Sequence, residues 1–520
     1  MNHLDAPAGG DRMGLIRSSW RDPLGAMCVA VAAIVTLFPV VVRAERPPNV
    51  LLIVSEDNGP QLGCYGEPSV RTPVLDRLVA DGVRFDRAWI TQAGCSASRA
   101  SFLTGLYPHQ HGQVGLATWG FRMYRDDIPT LPRRLREAGY RTGLIGKLHV
   151  LPEAAFPFDF KRLNESNFSR KRLGDYARHA AEFFAAGDAP FFLSINYPEA
   201  HDPRLRQVNG LPATPLDAGD VRSLAFFGID TPELRGHVAD YYNCLMRLDA
   251  LVGDLLAALE DSGKARDTLV IYIGDHGADM LRGKRTCYEG GLRIPLIMRW
   301  PGRIAAGQAR DELVSSVDLL PTLLALAGTA ADPTLPGRSL VPLFQKGTPP
   351  WRTHLFAEYH TQATTRHVYP QRCVRDGRWK LVENLLPDEV NPGHDYTLEQ
   401  FPSAREALAT APAAVRAGYA TMRRPPRYEL YDLAADPYEF TNRAADPAHA
   451  AERDRLAAVL EDWRRQTGDP LLDPAVVRRF REEVRAQSKK KDAAKHHWGY
   501  PDYFFGREPA PAAPGVGKAA

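Results

Sequence analysis

Several features are scarce in this sequence, and each scarcity excludes a class of protein. Only 6 of the 520 residues are cysteine and they are widely spaced, which excludes a small fold built on disulfides. The formal net charge is +3, too small to predict nucleic-acid binding, so an anionic ligand would have to be attracted by local basic residues. No internal repeat is present, and only one apolar run is long enough to span a bilayer.

The composition that remains is typical of a large globular protein. Hydrophobic residues make up 44% and charged residues 24% of the chain, which argues against global disorder. A chain of 520 residues is long enough to bury one large core and one smaller core. We therefore expect one large domain and one small domain.

The long apolar run lies near the N-terminus. Arginines precede it, it extends over residues 24–42, and it ends close to Ala44. This pattern predicts a secretory signal over residues 1–44, hence an exported, periplasmic or secreted protein with no membrane insertion after cleavage. The alternative interpretation is an uncleaved N-terminal membrane anchor.

Acidic residues follow two apolar segments that are typical of buried parallel strands. Residues 49–54 run into Glu56 and Asp57, and residues 268–273 run into Asp275 and His276. In α/β proteins ligands bind at the carboxyl ends of such strands, and adjacent carboxylates suit a hard divalent cation. The alternative for Glu56 and Asp57 is a polar turn that simply ends the strand, and His276 is a weaker candidate than Asp275 because hard cations prefer oxygen.

Residues 94–105 place a cysteine and an arginine at the start of a short helix. The hydroxyl side chains of Ser96 and Ser98 predict a helix beginning at about Ala97. Cys95 would then lie at the helix N-terminus, where negative charge is favoured, and Arg99 would lie one turn along with donors suited to an oxyanion. A buried cysteine beside a surface arginine is the alternative.

The run from Cys95 to Arg99, followed by Leu103-Thr104-Gly105, resembles the signature of type I sulfatases. The resemblance implies that a formylglycine-generating enzyme oxidises Cys95 to formylglycine (3-oxoalanine), whose hydrate is the nucleophile. Ala97 stands where proline is commoner, a variant that the signature allows. The implied fold is α/β: a large, alkaline-phosphatase-like mixed sheet flanked by helices, with a smaller C-terminal α+β domain.

Further motifs of the same family occur along the chain and imply roles for individual residues. The resemblance implies one calcium ion per chain. Glu56 replaces the commoner aspartate of the family's first acidic pair. The implied catalytic residues are Cys95, Arg99, Lys147, His149, His201 and Lys284, the implied metal ligands are Glu56, Asp57, Cys95, Asp275 and His276, and Arg285 is implied to share substrate binding.

Three stretches are similar to the sulfamidase branch of this family: residues 146–160, residues 369–372 with 378–385, and residues 427–442 with 467–470. They imply hydrolysis of N-sulfoglucosamine in heparan or heparin, with Arg372 binding a substrate carboxylate or sulfate. The alternatives are an O-sulfatase acting on another sulfated glycan, a phosphomonoester or phosphodiester hydrolase of the alkaline phosphatase superfamily, and a catalytically silent glycan-binding protein.

Composition and motif positions together predict the domain limits. We expect a catalytic domain over residues 45–350 and a C-terminal α+β subdomain over residues 351–487. Residues 488–520 are rich in lysine, alanine and proline and predict a disordered tail.

Overall fold

A mixed eight-stranded sheet forms the centre of the computed structural model, which describes residues 46–125, 128–490 and 495–506. Its strands are β1 (Asn49–Ser55), β2 (Val83–Phe85), β4 (Arg141–Gly146), β5 (Phe160–Arg162), β6 (Phe191–Asn196), β7 (Thr268–Gly274), β8 (Leu296–Arg299) and β9 (Gln308–Arg310). Their order is β5-β4-β6-β1-β7-β8-β2-β9. β1 pairs in parallel with β6 and β7, and β8 is antiparallel to both β7 and β2.

The continuous apolar sequence of β1 is explained by helices on both faces of this sheet. Leu51 and Ile53 join one hydrophobic core, and Leu52 and Val54 join the other. Side chains alternate across a strand, so both sets must be apolar when both faces are covered. The first core includes α1 (Pro73–Ala80), α5 (Asp175–Ala185) and α6 (Pro232–Asp261), and the second includes α2 (Cys95–Thr104), α4 (Leu131–Glu137) and α8 (Leu319–Leu326).

Four short elements lie in the same part of the chain as this sheet. β3 (Ala88–Trp89) pairs in parallel with β10 (Val314–Ser315). The helices α3 (Pro108–His111) and α7 (Glu289–Leu292) are each a single turn.

A second, antiparallel sheet lies in the C-terminal part of the chain. Its strands follow sequence order: β11 (Leu355–Tyr359), β12 (Gln371–Arg375), β13 (Trp379–Asn384) and β14 (Tyr428–Asp432). One face packs on α12 (Ala450–Gln466), and the other contributes Cys373 and Val382 to a core of the large sheet. Further helices of this part are α9 (Pro392–Gln400), α10 (Pro402–Thr410), α11 (Ala413–Arg423) and α13 (Pro474–Gln487). The described residues from Arg46 onward group as one compact unit, so a domain boundary near residue 350 stays a prediction.

Two elements differ from the sequence-based expectation. The helix expected from Ala97 begins at Cys95, because Gly94 adopts the extended N-cap conformation and no side chain caps the helix. Part of the tail expected to be disordered is ordered, since α14 (Tyr500–Phe505) buries Tyr500 and Phe504 against Phe121 and Phe480. The prediction of disorder rested on the content of lysine, alanine and proline, whereas the aromatic residues near position 500 supply a packing surface.

The N-terminal segment lies outside the described residues, so the prediction of a signal or anchor over residues 1–44 is not addressed by the structure. Within the residues that are described, no helix is both long and apolar enough to cross a membrane.

Arg372 lies in a buried ionic network rather than in a pocket. Its Nη2 donates to Asp469 Oδ1 at 2.7 Å, its Nε lies 3.3 Å from Glu358 Oε2, and all three side chains are fully buried. Arg464 also donates to Asp469 through Nε, at 2.7 Å. We therefore correct the expectation that Arg372 binds substrate: its donors are used to join β12 to the segment that follows α12.

This network generates a stability prediction. Asp469→Ala should lower the free energy of unfolding by about 3–5 kcal/mol, because it leaves the buried Arg372 guanidinium without its main counter-charge. The measurement is urea unfolding followed by circular dichroism. The matched control is Glu461→Ala, which removes the exposed partner of Arg465 and should change stability by only about 0.5 kcal/mol. Equal effects of the two substitutions would contradict the structural role assigned to Arg372.

Candidate active site

Cys95 is the first residue of α2 and is almost completely buried, with 1% of its surface exposed. Its Sγ lies 3.3 Å from His276 Nε2 and 4.0 Å from Glu56 Oε2. The N-terminus of a helix favours negative charge because its first amide groups have no partner within the helix. The position is therefore suited to a reactive anionic group.

The acidic residues from two distant segments meet beside Cys95. β1 and β7 are adjacent and parallel, with Ser55 opposite Gly274, so the residues that follow both strands emerge at the same edge of the sheet. The Asp57 amide donates to Asp275 Oδ1 at 2.9 Å, and the Asp275 amide donates to the Ser55 carbonyl at 3.0 Å. The structure thus brings together Glu56, Asp57, Asp275 and His276, as the sequence predicts.

These side chains form a donor set that fits a divalent cation. Two overlapping groups of side chains have possible ligand atoms that all lie within 4.8 Å of one another. One group is Asp57, Cys95, Asp275 and His276, and the other is Glu56, Asp57, Cys95 and His201. Carboxylate oxygens are the ligands that hard cations prefer. Burial, reinforced by neighbouring charges such as that of Glu56, raises the pKa of Asp275 to about 6, and a cation bound beside this carboxylate would offset both effects.

Two basic side chains pair with Glu56 from separate elements. Arg99, one turn into α2, donates to a Glu56 oxygen through Nη2 and to Asn196 Oδ1 at 2.7 Å through Nη1. Lys147, directly after β4, places Nζ 2.7 Å from the other Glu56 oxygen. Both side chains are buried, so their charges act in a region of low dielectric constant.

A third basic side chain, Lys284, comes from the loop after β7 and pairs with Asp57. Its Nζ lies 3.0 Å from Asp57 Oδ1 and 3.3 Å from Asp279 Oδ2. Two of these three cations act on Cys95: burial alone would raise the pKa of the thiol, but Lys147 and Lys284 lower that pKa to about 6. The site therefore stabilises an anion at position 95.

The two predicted catalytic histidines have different surroundings. His149 is half-buried, but both of its ring nitrogens are shielded from solvent and neither has a hydrogen-bond partner among the described residues. Burial, reinforced by Lys147, holds the pKa of His149 well below its ordinary value, so the ring is neutral near pH 7. His201 is stacked on Phe168 with ring centres 3.9 Å apart, and its Nδ1 lies 2.7 Å from the Asp202 carbonyl oxygen, which leaves Nε2 for chemistry.

Arg285 lies next to the Cys95 segment, in contrast to Arg372. Its backbone amide donates to the Ala93 carbonyl at 2.9 Å, and its guanidinium pairs with Asp279. Asp279 thus connects Arg285 to Lys284. The prediction that Arg285 shares substrate binding remains open, since the side chain lies beside the cluster without contacting Cys95.

Sequence reasoning missed Asn196, Asp279 and Phe168, which position the predicted residues. Asn196 ends the apolar strand β6, so the rule that identified Asp57 and Asp275 also applies to it. Phe168 carries no such signal: the ring that supports His201 also lies 5.0 Å beneath Lys147 Nζ, and only the folded chain brings them together.

Comparison with known proteins relates most of the chain to one family. Residues 48–329 match the family model described as Sulfatase, and residues 274–414 match a model described as N-sulphoglucosamine sulphohydrolase, C-terminal. The chain is 32% identical over 469 residues to N-sulphoglucosamine sulphohydrolase of Homo sapiens, covering 82% of this chain and 91% of that protein. It is 32% identical over 470 residues to Arylsulfatase A of Homo sapiens, covering 76% and 83% respectively.

Several solved structures have the same fold. One is a protein in complex with its substrate D-glucosamine-2-N, 6-O-disulfate. Its TM-score is 0.62 at 20% identity, and the match covers 82% of this chain and 99% of that chain. A 2-O GAG sulfatase has a TM-score of 0.64 at 22% identity over 85% and 98% of the two chains. The phosphonate monoester hydrolase of Agrobacterium radiobacter has a TM-score of 0.61 at 22% identity over 81% and 96%. These similarities confirm the predicted α/β fold with its large mixed sheet.

The donor set predicts that a divalent cation stabilises the folded chain. After chelation, addition of calcium at about 100 times its dissociation constant should stabilise the protein by about 2.7 kcal/mol, measured as a rise in melting temperature. Asp275→Asn should remove most of this rise, because it takes one charge from the donor set. Asp261→Asn, at an exposed position, is the matched control and should keep the full rise; an unchanged response in Asp275→Asn would contradict the assignment.

Proposed function

The chain belongs to the sulfatase family, and on that basis we propose that it releases sulfate from a sulfated saccharide, N-sulfoglucosamine of the heparan or heparin type. The observation that carries this proposal is the gathering of Glu56, Asp57 and Asp275 around Cys95, with Arg99, Lys147 and Lys284 supplying positive charge. The similarity to human N-sulphoglucosamine sulphohydrolase supports the choice of saccharide. The product would be inorganic sulfate and a free amino sugar in glycosaminoglycan degradation.

Cys95 is the residue that we propose to be converted to formylglycine. Once hydrated, this aldehyde supplies an oxygen nucleophile for attack on sulfur, which an unmodified thiol does not offer. With 1% of its surface exposed in the fold, Cys95 is out of reach of another protein, so the formylglycine-generating enzyme would have to act before this region folds.

Glu56, Asp57, Asp275 and His276, together with residue 95, are the side chains that would hold one calcium ion. A bound divalent cation acts as a Lewis acid that polarises the sulfate oxygens. Asp57 and Asp275 are held in fixed relation by the hydrogen bond between the Asp57 amide and the Asp275 carboxylate. The side chains are thus oriented before a ligand arrives, which lowers the cost of binding.

The basic residues have a separate task, since a sulfate group carries negative charge on its oxygens. Arg99, Lys147 and Lys284 are buried and fixed by carboxylates or an amide. Charges held in advance in a region shielded from water stabilise a developing anion more strongly than mobile charges in solvent do. We infer that these three side chains bind the sulfate group and stabilise it in the transition state.

Proton transfer is assigned to the two histidines. His201, held by Phe168 and the Asp202 carbonyl oxygen, would donate a proton to the leaving amine through Nε2. His149 has a neutral ring with no hydrogen-bond partner in the described part of the chain, so after attack on sulfur it would accept the proton of the remaining hydroxyl of the hydrated residue 95, which would expel sulfate and restore the aldehyde. An exported location, periplasmic or secreted, fits this function and rests on the N-terminal sequence alone.

Replacement of Cys95 tests the nucleophile. Cys95→Ala should lower the rate of sulfate release at least about a thousandfold, because no other side chain can take its place. Cys64→Ala changes a half-buried cysteine outside the site and should retain activity. Mass spectrometry of the peptide that contains residue 95 should show an aldehyde in the active wild-type protein. Full activity of Cys95→Ala, or a wholly unmodified thiol in active enzyme, would refute the assignment.

Substrate choice separates the proposed reaction from its alternatives. Glucosamine N-sulfate should be hydrolysed with a kcat/KM at least about tenfold above that of glucosamine 6-O-sulfate, a difference of about 1.4 kcal/mol, because His201 would protonate the basic leaving nitrogen. Preference for the O-sulfate would identify an O-sulfatase. Faster hydrolysis of a phosphomonoester or phosphodiester would instead favour the reaction class suggested by the shared fold of the phosphonate monoester hydrolase.

A further inference from the structure

A C-terminal segment, residues 360–367, lies against the N-terminus of α2. Gln92 Nε2 donates to the Thr361 carbonyl at 3.2 Å, and the Leu116 amide donates to the Gln362 carbonyl at 2.8 Å. A Cβ atom placed on Gly94 would lie 3.3 Å from Gln362 Oε1. The backbone of the segment is therefore fixed, and the Gln362 side chain lies next to the residue that precedes Cys95.

The Gln362 side chain is buried in an unusual state. Only 8% of its surface is exposed, and its Oε1 accepts no hydrogen bond from any residue that the structure describes. Burying a carbonyl oxygen without a donor costs free energy, and native proteins rarely leave such an atom unsatisfied. The acceptor is thus available to a hydrogen-bond donor that enters the site.

Two rings extend the same border of the site. The Arg285 guanidinium lies 5.2 Å from the centre of the Tyr396 ring, and the Tyr396 and His367 rings meet edge to face with centres 4.6 Å apart. His367 Nε2 is likewise buried without a partner among the described residues. The Arg285 amide is bonded to the Ala93 carbonyl, so the arginine that contacts the Tyr396 ring adjoins the Cys95 segment, and His367 belongs to the same 360–367 segment as Gln362.

The chemistry of this border differs from that of the cation cluster. Lys147 and Lys284 attract the oxygens of a sulfate group, whereas a carbonyl oxygen repels them and accepts a hydrogen bond only from N–H or O–H. A sugar ring offers such donors next to the sulfated position, and an inorganic anion without protons does not. An acceptor beside the sulfate site can therefore distinguish a saccharide from bare sulfate.

We propose that Gln362 is a specificity-determining residue, whose side-chain carbonyl accepts a hydrogen bond from an amino or hydroxyl group on the sugar that bears the sulfate, with His367 and Tyr396 continuing the same recognition edge. The inference rests on the proposed function and deepens it, because it assigns recognition of the sugar to a segment that takes no part in the bond cleavage.

The test compares two ligands by isothermal titration calorimetry in the calcium-loaded Cys95→Ala protein, which binds without turnover. Adding Gln362→Met keeps the side-chain volume but removes the acceptor. It should weaken binding of glucosamine N-sulfate by about 3- to 10-fold, the effect of one neutral hydrogen bond, and leave the affinity for inorganic sulfate unchanged. Gln400→Met, at an exposed position of α9, is the matched control and should alter neither affinity.

Three results would contradict the proposed role of Gln362 in recognising the sugar. No change in affinity for the sugar, or equal weakening for the sugar and for inorganic sulfate, overturns the proposal directly. If the Cys95→Ala parent binds inorganic sulfate but no sulfated sugar, the proposed function fails and this inference fails with it. Thermal unfolding checks that the Gln362→Met protein is folded. If it is not, the same two affinities are measured for Gln362→Ala, whose smaller side chain fits the same space, and the same results decide.

Discussion

The adjacency of two parallel strands, β1 and β7, is the constraint on which the site depends. Neighbouring strands lie about 4.8 Å apart, so residues that follow paired strand ends are within reach of a single ion. Glu56 and Asp57 leave one strand and Asp275 and His276 leave the other, directly beside Cys95. A strand inserted between β1 and β7 would double the distance between their ends. Because calcium binds its ligands at about 2.3–2.6 Å, carboxylates from the two strands could then no longer bind the same cation.

This arrangement places negative charge where water cannot reach it, and the rest of the site offsets that charge. Arg99, Lys147 and Lys284 arrive from three different elements and pair with Glu56 and Asp57. A buried ion without a partner is strongly unfavourable, whereas a paired and hydrogen-bonded one is tolerated. The same pairing fixes the basic side chains in the positions that binding a tetrahedral anion requires, so the stability of the site and its proposed chemistry have one physical origin.

Local sequence patterns indicated Cys95 and the acidic residues, because these residues follow strand ends or begin a helix, whereas the roles of Lys147, His149, His201 and Lys284 were implied by the resemblance to sulfatases. Cys95, Asp57 and Asp275 each lie at such a junction, where the hydrophobic pattern of a strand or helix begins or ends in the sequence. Arg372 was misassigned because its partner Asp469 lies far along the chain, and a basic residue looks the same whether it faces a ligand or a buried carboxylate. Gln362 gave no signal, since its importance comes from packing beside Gly94, a contact that no local pattern encodes.

A crystal structure of the protein grown with calcium would test the central claim most directly. The account predicts one cation, identified by its anomalous scattering, bound to oxygen atoms of Glu56, Asp57 and Asp275 and adjacent to residue 95. A cation bound elsewhere, or carboxylates of β1 and β7 turned away from Cys95 with calcium present, would contradict it.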